Sequence, residues 1–160
     1  MSSINIRQKG ANGEREVAKM LNNIIAGVMV EMGFPAEQVE AARSSVQRNQ
    51  NQSAVGGCDL SNVFDMAVEV KRHENLQVPA WWRQCVSAAE RNNELPVLVY
   101  RQNRRAWHVR TYAWLPLPGS EPGSWSRQQR VVAEFDIDTF KVWFAQWVRG
   151  MLEQGREVKT

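Results

Sequence analysis

The sequence predicts an α/β domain: a small mixed β-sheet flanked by helices, with an additional helix toward the C-terminus. Three observations carry this. Apolar residues recur at helical spacing over residues 17–32 and again over 137–152. Apolar and polar residues alternate with period two over 62–71. The segments follow the order helix, strands, helix, strands, helix. A length of 160 residues suits one domain, and 43% hydrophobic with 23% charged residues suffices for an ordinary core.

The first helix rests on Val17, Met20, Leu21, Ile24, Ile25, Val28, Met29 and Met32, with charged residues between them. Asn12 is its expected N-cap, and Gly33 followed by Pro35 ends it. Residues 38–42 suit either a short helix or an extended piece. The run from Arg48 to Gly57 is polar and closes on two glycines, which predicts a surface loop. From Asn62 to Lys71, Phe64, Met66, Val68 and Val70 alternate with Asp65, Ala67, Glu69 and Lys71, the pattern of a strand. Pro79 opens a second helix that runs to Asn93, with Trp82, Cys85 or Val86, and Ala89 on its apolar face. Leu95–Arg101 and Ala106–Tyr112 read as strands joined by a polar turn. Leu115–Ser126, with three prolines and two glycines, reads as an irregular loop, and Val131–Phe135 as an edge strand. The last helix, Ile137–Leu152, puts Phe140, Trp143, Phe144, Trp147, Val148 and Met151 on one face.

Several classes are set aside. The longest apolar stretch is interrupted by Lys19, Asn22, Asn23 and Glu31, so no membrane-spanning helix is expected. The first ten residues lack the apolar core of a secretory signal. Cys58 and Cys85 are too few for a disulfide framework or a structural zinc site, and a cytoplasmic chain is expected. The net charge is +3, and 15 of the 20 cations are arginine, whose planar fork suits phosphate. That balance permits a nucleic-acid partner; an average basic domain has it too.

The residues that could carry chemistry begin with Glu69 and Lys71. Two apart on a strand, they emerge side by side on one face, while Val68 and Val70 face the other way. Alone, the pair also suits a solvated edge strand. Asp59 precedes Glu69 by ten residues, in Gly56-Gly57-Cys58-Asp59-Leu60, where an Asp commonly serves a turn. Ten residues also suffice to turn once and return a strand end beside Glu69. Two carboxylates and a backbone carbonyl meeting there make an all-oxygen site suited to Mg²⁺, and a lysine beside it can orient a water for attack on phosphate. Glu14 shares a helical face with Val17 and Leu21, so it is expected to face inward; an exposed residue complementing the helix dipole is the alternative. Glu16 falls on a different face and suits that exposed role.

Lys9-Gly10-Ala11-Asn12-Gly13-Glu14-Arg15-Glu16, followed by an apolar helix, resembles the opening of archaeal-type Holliday-junction resolvases. Asp59 with Glu69-Val70-Lys71 resembles the D…(D/E)xK signature of the PD-(D/E)XK, or restriction-endonuclease-like, superfamily. The resemblance covers residues 7–112 and leaves 113–160 as an unmatched extension. It departs from the pattern at Cys58, where the superfamily name places a proline, and in the segment 47–55, which is long.

The resemblance implies a Mg²⁺-dependent phosphodiesterase, with Mn²⁺ as a substitute, encoded by a phage or prophage. Asp59, Glu69 and the Val70 carbonyl would hold the metal, and Glu14 would complete or modulate the site. Lys71 would help activate the attacking water, and cleavage would leave a 5′-phosphate. Gln84, on the helix after the Glu69–Lys71 strand, would lie near that water; a solvated helix position is the alternative. Arg15 and Arg43 fall where resolvases carry basic residues for the DNA backbone, and Lys9 and Arg72 join them as expected DNA contacts. Arg101, Arg104 and Arg105, clustered with Trp107 in the polar turn, are expected to meet phosphate, although Trp107 itself suits packing beneath the turn. His73 and His108 lack metal-ligand spacing. A branched, near two-fold DNA substrate calls for a homodimer, with the last helix and its aromatic face as candidates for part of the interface. A repair or restriction-type nuclease and a non-catalytic DNA-binding protein of the same fold are the alternatives.

Overall fold

The computed structural model describes residues 3–50 and 57–160; residues 51–56, the centre of the predicted polar loop, lie outside them. Helices α1 (Ser3–Glu31) and α2 (Ala36–Ala42) lead into two short strands, β1 (Gln47–Arg48) and β2 (Leu60–Ser61), which pair antiparallel. Strand β3 (Met66–His73), helix α3 (Val78–Asn92), and strands β4 (Leu95–Gln102), β5 (His108–Leu117) and β6 (Arg127–Asp136) follow, and helix α4 (Ile137–Glu153) closes the sequence of elements. The main sheet is mixed, in the order β3-β4-β5-β6, with the first pair parallel and the others antiparallel.

Two layers cover this sheet. Val68, Val70, Val97, Val99 and Val109 join Leu21, Ile25, Phe140, Phe144 and Val148 in one core, so α1 and α4 lie on one face. Trp81 and Cys85 of α3 bury Leu98 and Tyr100 on the other face. This is the α/β architecture expected, a mixed sheet flanked by helices with a C-terminal helix, and it has the restriction-endonuclease-like form. No helix among the described residues is long and apolar enough to cross a membrane.

Several boundaries differ from the sequence reading, each for a physical reason. Helix α1 begins at Ser3, so Asn12 is not an N-cap; its side-chain oxygen accepts a hydrogen bond from Arg15 within the helix. Gly13, which looked like a boundary, is instead a close approach. A Cβ there would stand 3.4 Å from both the Arg72 Cβ and the Trp107 ring. Strand β3 starts at Met66 rather than Asn62, because Asn62, Phe64 and Asp65 take positive φ and turn the chain. Residues 36–42 are helical. Strand β5 runs on to Leu117 and β6 begins at Arg127, so the irregular segment shrinks to 118–126. The edge position of β6 is as expected.

The aromatic face of α4 is spent within the chain. Phe140 and Phe144 are fully buried, and Trp147 donates its indole N–H to the Phe64 carbonyl at 2.9 Å. The expectation that this face forms a dimer interface is therefore overturned: it covers the sheet of its own subunit.

Candidate active site

Tertiary structure brings Asp59 to Glu69 and Lys71 by a chain of anchors that starts on α1. Asn22 is buried. Its amide nitrogen donates to the Val46 carbonyl (3.0 Å), and its oxygen accepts from the Val46 N–H (2.8 Å) and the Ser45 hydroxyl (3.2 Å). A buried side-chain amide that meets a backbone donor and acceptor together is well satisfied. It ties the start of β1 to α1. Strand β1 then pairs with β2, and the Asn49 N–H donates to the Asp59 carbonyl at 2.8 Å, which fixes Asp59 at the entry to β2.

From there the Asp59 Oδ2 accepts the Val70 N–H at 2.7 Å. Strand β3 is an edge strand with β4 on its other side, so the N–H that Val70 offers to Asp59 points away from the sheet. In an extended strand the carbonyl of a residue points to the same side as its N–H, so the Val70 carbonyl is also directed toward the Asp59 edge. Glu69 and Lys71 pair in register with Leu98 and Tyr100, on the α3 face, and their side chains form an ion pair at 2.6 Å. Glu69 is 2% exposed and Asp59 5% exposed.

Electrostatics follow from this crowding. Burial first, and then the charge of Glu69, push the Asp59 carboxyl up to about 7, against the opposing pull of Lys71 and the Val70 N–H. Burial works against the Lys71 ammonium, but Glu69 and Asp59 outweigh it and hold the amine above its ordinary range. Two buried carboxylates therefore share one ammonium, and the site has a surplus of negative charge in a dry place. Such a pair, with a carbonyl beside it, offers only hard oxygen donors and fits a divalent cation such as Mg²⁺.

Glu14 comes to the rim of this group from α1, near enough for its charge to act on both Asp59 and Lys71. It faces inward, as its helical position implies, with its side chain 12% exposed. Its carboxylate is held by the Arg48 guanidinium at 2.5 Å. Among the described residues no three His, Cys, Asp or Glu side chains converge as a ready-made metal cluster. The close acidic pair is Asp59 and Glu69, with Glu14 set apart by its arginine. Sequence reasoning missed Arg48, because nothing in the local pattern of a polar stretch singles out one cation; only the Asn22 anchor places it opposite Glu14.

The other expected residues scatter. Gln84 is exposed on α3 beside the buried Cys85 and makes no hydrogen bond to Asp59, Glu69 or Lys71 among the described residues. Arg101 is not free for phosphate: it pairs with Glu16 at 2.8 Å and lies over the Trp107 ring, 4.4 Å from its centre. Glu16 is exposed, as read, and also clamps this corner, accepting from the Trp107 indole at 2.9 Å. Trp107 packs beneath the turn, and Arg104 and Arg105 are exposed on it. Arg15 and Arg43 are exposed; Arg43 pairs with Glu40. Arg72 lies on the opposite face from Lys71, against α1, and lines a cleft of about 210 Å³ with Lys9, His73 and Glu74. Lys9 is 3.4 Å from Glu74. Cys58, beside Asp59, has its thiol pushed up to about 11, by burial first and then by Glu94, and burial raises Cys85 further; neither is a ready nucleophile.

A search of the curated proteins finds no match. The chain does match, over residues 5–147, a protein family described as "Phage putative PDDEXK endonuclease". The match extends past β6 into α4. The match spans most of the chain, and the chain belongs to this phage family of PD-(D/E)XK nucleases.

Proposed function

We propose that this nuclease is a metal-dependent, structure-selective DNA endonuclease of the Holliday-junction resolvase kind, working as a homodimer on branched DNA. The observation that carries the reading is the Asp59 carboxylate on the Val70 amide, beside the Glu69–Lys71 ion pair. Asp59, Glu69 and the Val70 carbonyl would hold Mg²⁺, or Mn²⁺ in its place. The metal, when bound, supplies Lewis-acid stabilisation of charge on the phosphate.

The chain's own residues do the rest. Lys71, two residues along the strand from Glu69, would orient the attacking water beside the carboxylates that would hold the metal. Glu14, released or held by Arg48, adjusts the negative charge around Asp59. Attack in line with the leaving 3′ oxygen leaves a 5′-phosphate and a 3′-hydroxyl. Exposed Arg104 and Arg105 can meet DNA phosphates, as can Arg15 and Arg43 once their surface links to Asn12 and Glu40 open, each contact making binding more sensitive to salt. The preference for four-way junctions rests on the Lys9–Glu16 opening, which resembles that of resolvases.

The test is the purified protein with labelled four-way junction, flap and linear duplex in parallel, each with Mg²⁺ or EDTA. Mg²⁺-dependent paired cuts in the junction, with little cutting of duplex, are expected. Equal cutting of all three substrates would assign a general repair or restriction-type nuclease, and tight binding without cutting a DNA-binding protein.

A further inference from the structure

The outer edge of β6 is a ten-residue strand whose charge is antisymmetric about its centre. It reads Arg127-Gln-Gln-Arg130-Val131-Val132-Ala133-Glu134-Phe135-Asp136, basic at the start, apolar in the middle and acidic at the end. No described strand pairs with its free side. It carries no proline and no bulge in its register with β5, two of the devices that ordinarily blunt an exposed edge, and its charges flank an uncharged centre at Val131–Ala133. Arg127 and Arg130 form no ion pair with a carboxylate among the described residues; Arg130 lies over the Tyr112 ring instead. Val132 is 48% exposed, and neighbouring Trp114 53%.

We infer that β6 pairs antiparallel with β6 of a second copy of this chain, centred on Val132. Only a two-fold axis normal to the sheet joins two identical edge strands, and it sets one residue opposite its own copy. Centring on Val132 places Arg130 opposite Glu134 twice over, on the same face as the valine pair, and Val131 opposite Ala133 on the other. Centring on Val131 sets Gln128 against Glu134 and pairs no charges. Centring on Ala133 pairs Arg130 with Asp136 but sets Val132 against Glu134 on the same face. Opposite charges therefore meet in two registers, and apolar matching selects the one centred on Val132, where Arg130 joins Arg110 and Tyr100 around Glu134. The inference deepens the homodimer proposed above by naming its interface.

The consequence is one eight-stranded sheet with β3 at both outer edges. The axis normal to the sheet leaves both Glu69–Lys71 pairs on the same face. At about 4.8 Å per strand and 3.4 Å per residue along it, the two centres stand roughly 39 Å apart before twist.

Light scattering and sedimentation velocity on the full chain test this, with Val132→Lys, Val132→Cys and Val131→Cys. Wild type is expected to be a dimer at micromolar concentration. Val132→Lys sets two ammonium groups against each other on the axis and should weaken the dimer at least about 100-fold, with the circular dichroism unchanged because the position is half exposed. Under mild oxidation Val132→Cys should cross-link as a dimer, while Val131→Cys and wild type, which keeps Cys58 and Cys85, should not. A wild type monomeric throughout, a Val132→Lys variant as dimeric as wild type, or cross-linking at 131 in place of 132 overturns the inference. So does a monomer whose DNA binding Val132→Lys abolishes, an outcome that would give the strand to DNA. A monomer that still cuts DNA with Mg²⁺ removes this interface and leaves the nuclease reading standing; a β6-paired dimer with no cleavage does the reverse.

Discussion

Asp59 and Val70 stand eleven residues apart in the chain, yet the carboxylate of one accepts the backbone N–H of the other at 2.7 Å. This bond spends the one outward amide of β3 at that level on an acid, and holds the acid near enough to Glu69 for the charge of Glu69 to act on it. It also raises a difficulty that the protein must resolve, since two buried carboxylates repel. The expected resolution is a cation.

Asp59→Asn should abolish cleavage while leaving junction binding within a few-fold. The amide oxygen can still accept from Val70, so the fold is kept and the negative charge alone is lost. Cleavage and gel-shift assays on one preparation check both halves. Full activity in the variant would remove Asp59 from the site.

Lys71→Ala should slow the chemical step by about a hundredfold or more, the scale of removing one preorganised charge from an active centre. Single-turnover cleavage at saturating enzyme measures this step. An unchanged rate would make Lys71 only the neutralising partner of a buried glutamate.

The raised Asp59 carboxyl makes the metal-free protein sensitive to alkali. Its folded value of about 7 lies above the unfolded value near 3.8, so the folded chain binds the extra proton between them. The stability this contributes is fully present below about pH 4 and is lost as pH rises through 7. In EDTA, the melting temperature of wild type should therefore fall relative to Asp59→Asn between pH 5 and 8. Mg²⁺ at pH 8 should raise the wild-type value and leave that of the variant nearly unmoved. Parallel pH dependences in the two proteins would contradict the assignment.

Asn22→Leu should cost about 2–5 kcal/mol, because it strands the buried N–H and C=O of Val46 together. Denaturant unfolding measures the loss. Cleavage should fall beyond what lost stability explains, since β1 carries Arg48 toward Glu14 and holds the Asp59 backbone.

Truncation after Glu134 should give insoluble chain, because it removes Phe140, Phe144 and Val148 from the core. Recovery in the soluble fraction reads this directly. A soluble, active product would show that α4 is dispensable to the sheet it covers.

Much of this molecule was legible in its residues alone. The period-two run around Val68 and Val70 and the helical stripes of α1 and α4 marked a mixed sheet between helices, because burial of one face imposes a period that composition reveals. Glu69 and Lys71 on one face follow from the same alternation. The boundaries that moved were those where tertiary contact outweighs local signal. Gly13 sits within a helix because Arg72 and Trp107 pass close by, and Phe64 belongs to a turn although it is apolar. What folding alone decided is who meets whom across the chain: Arg48 against Glu14, Glu16 on Arg101 and Trp107, and the aromatic face of α4 turned inward rather than to a partner. Periodicity reports which face of an element is buried, whereas the partner against that face is chosen by the packing of distant segments, for which no local pattern exists.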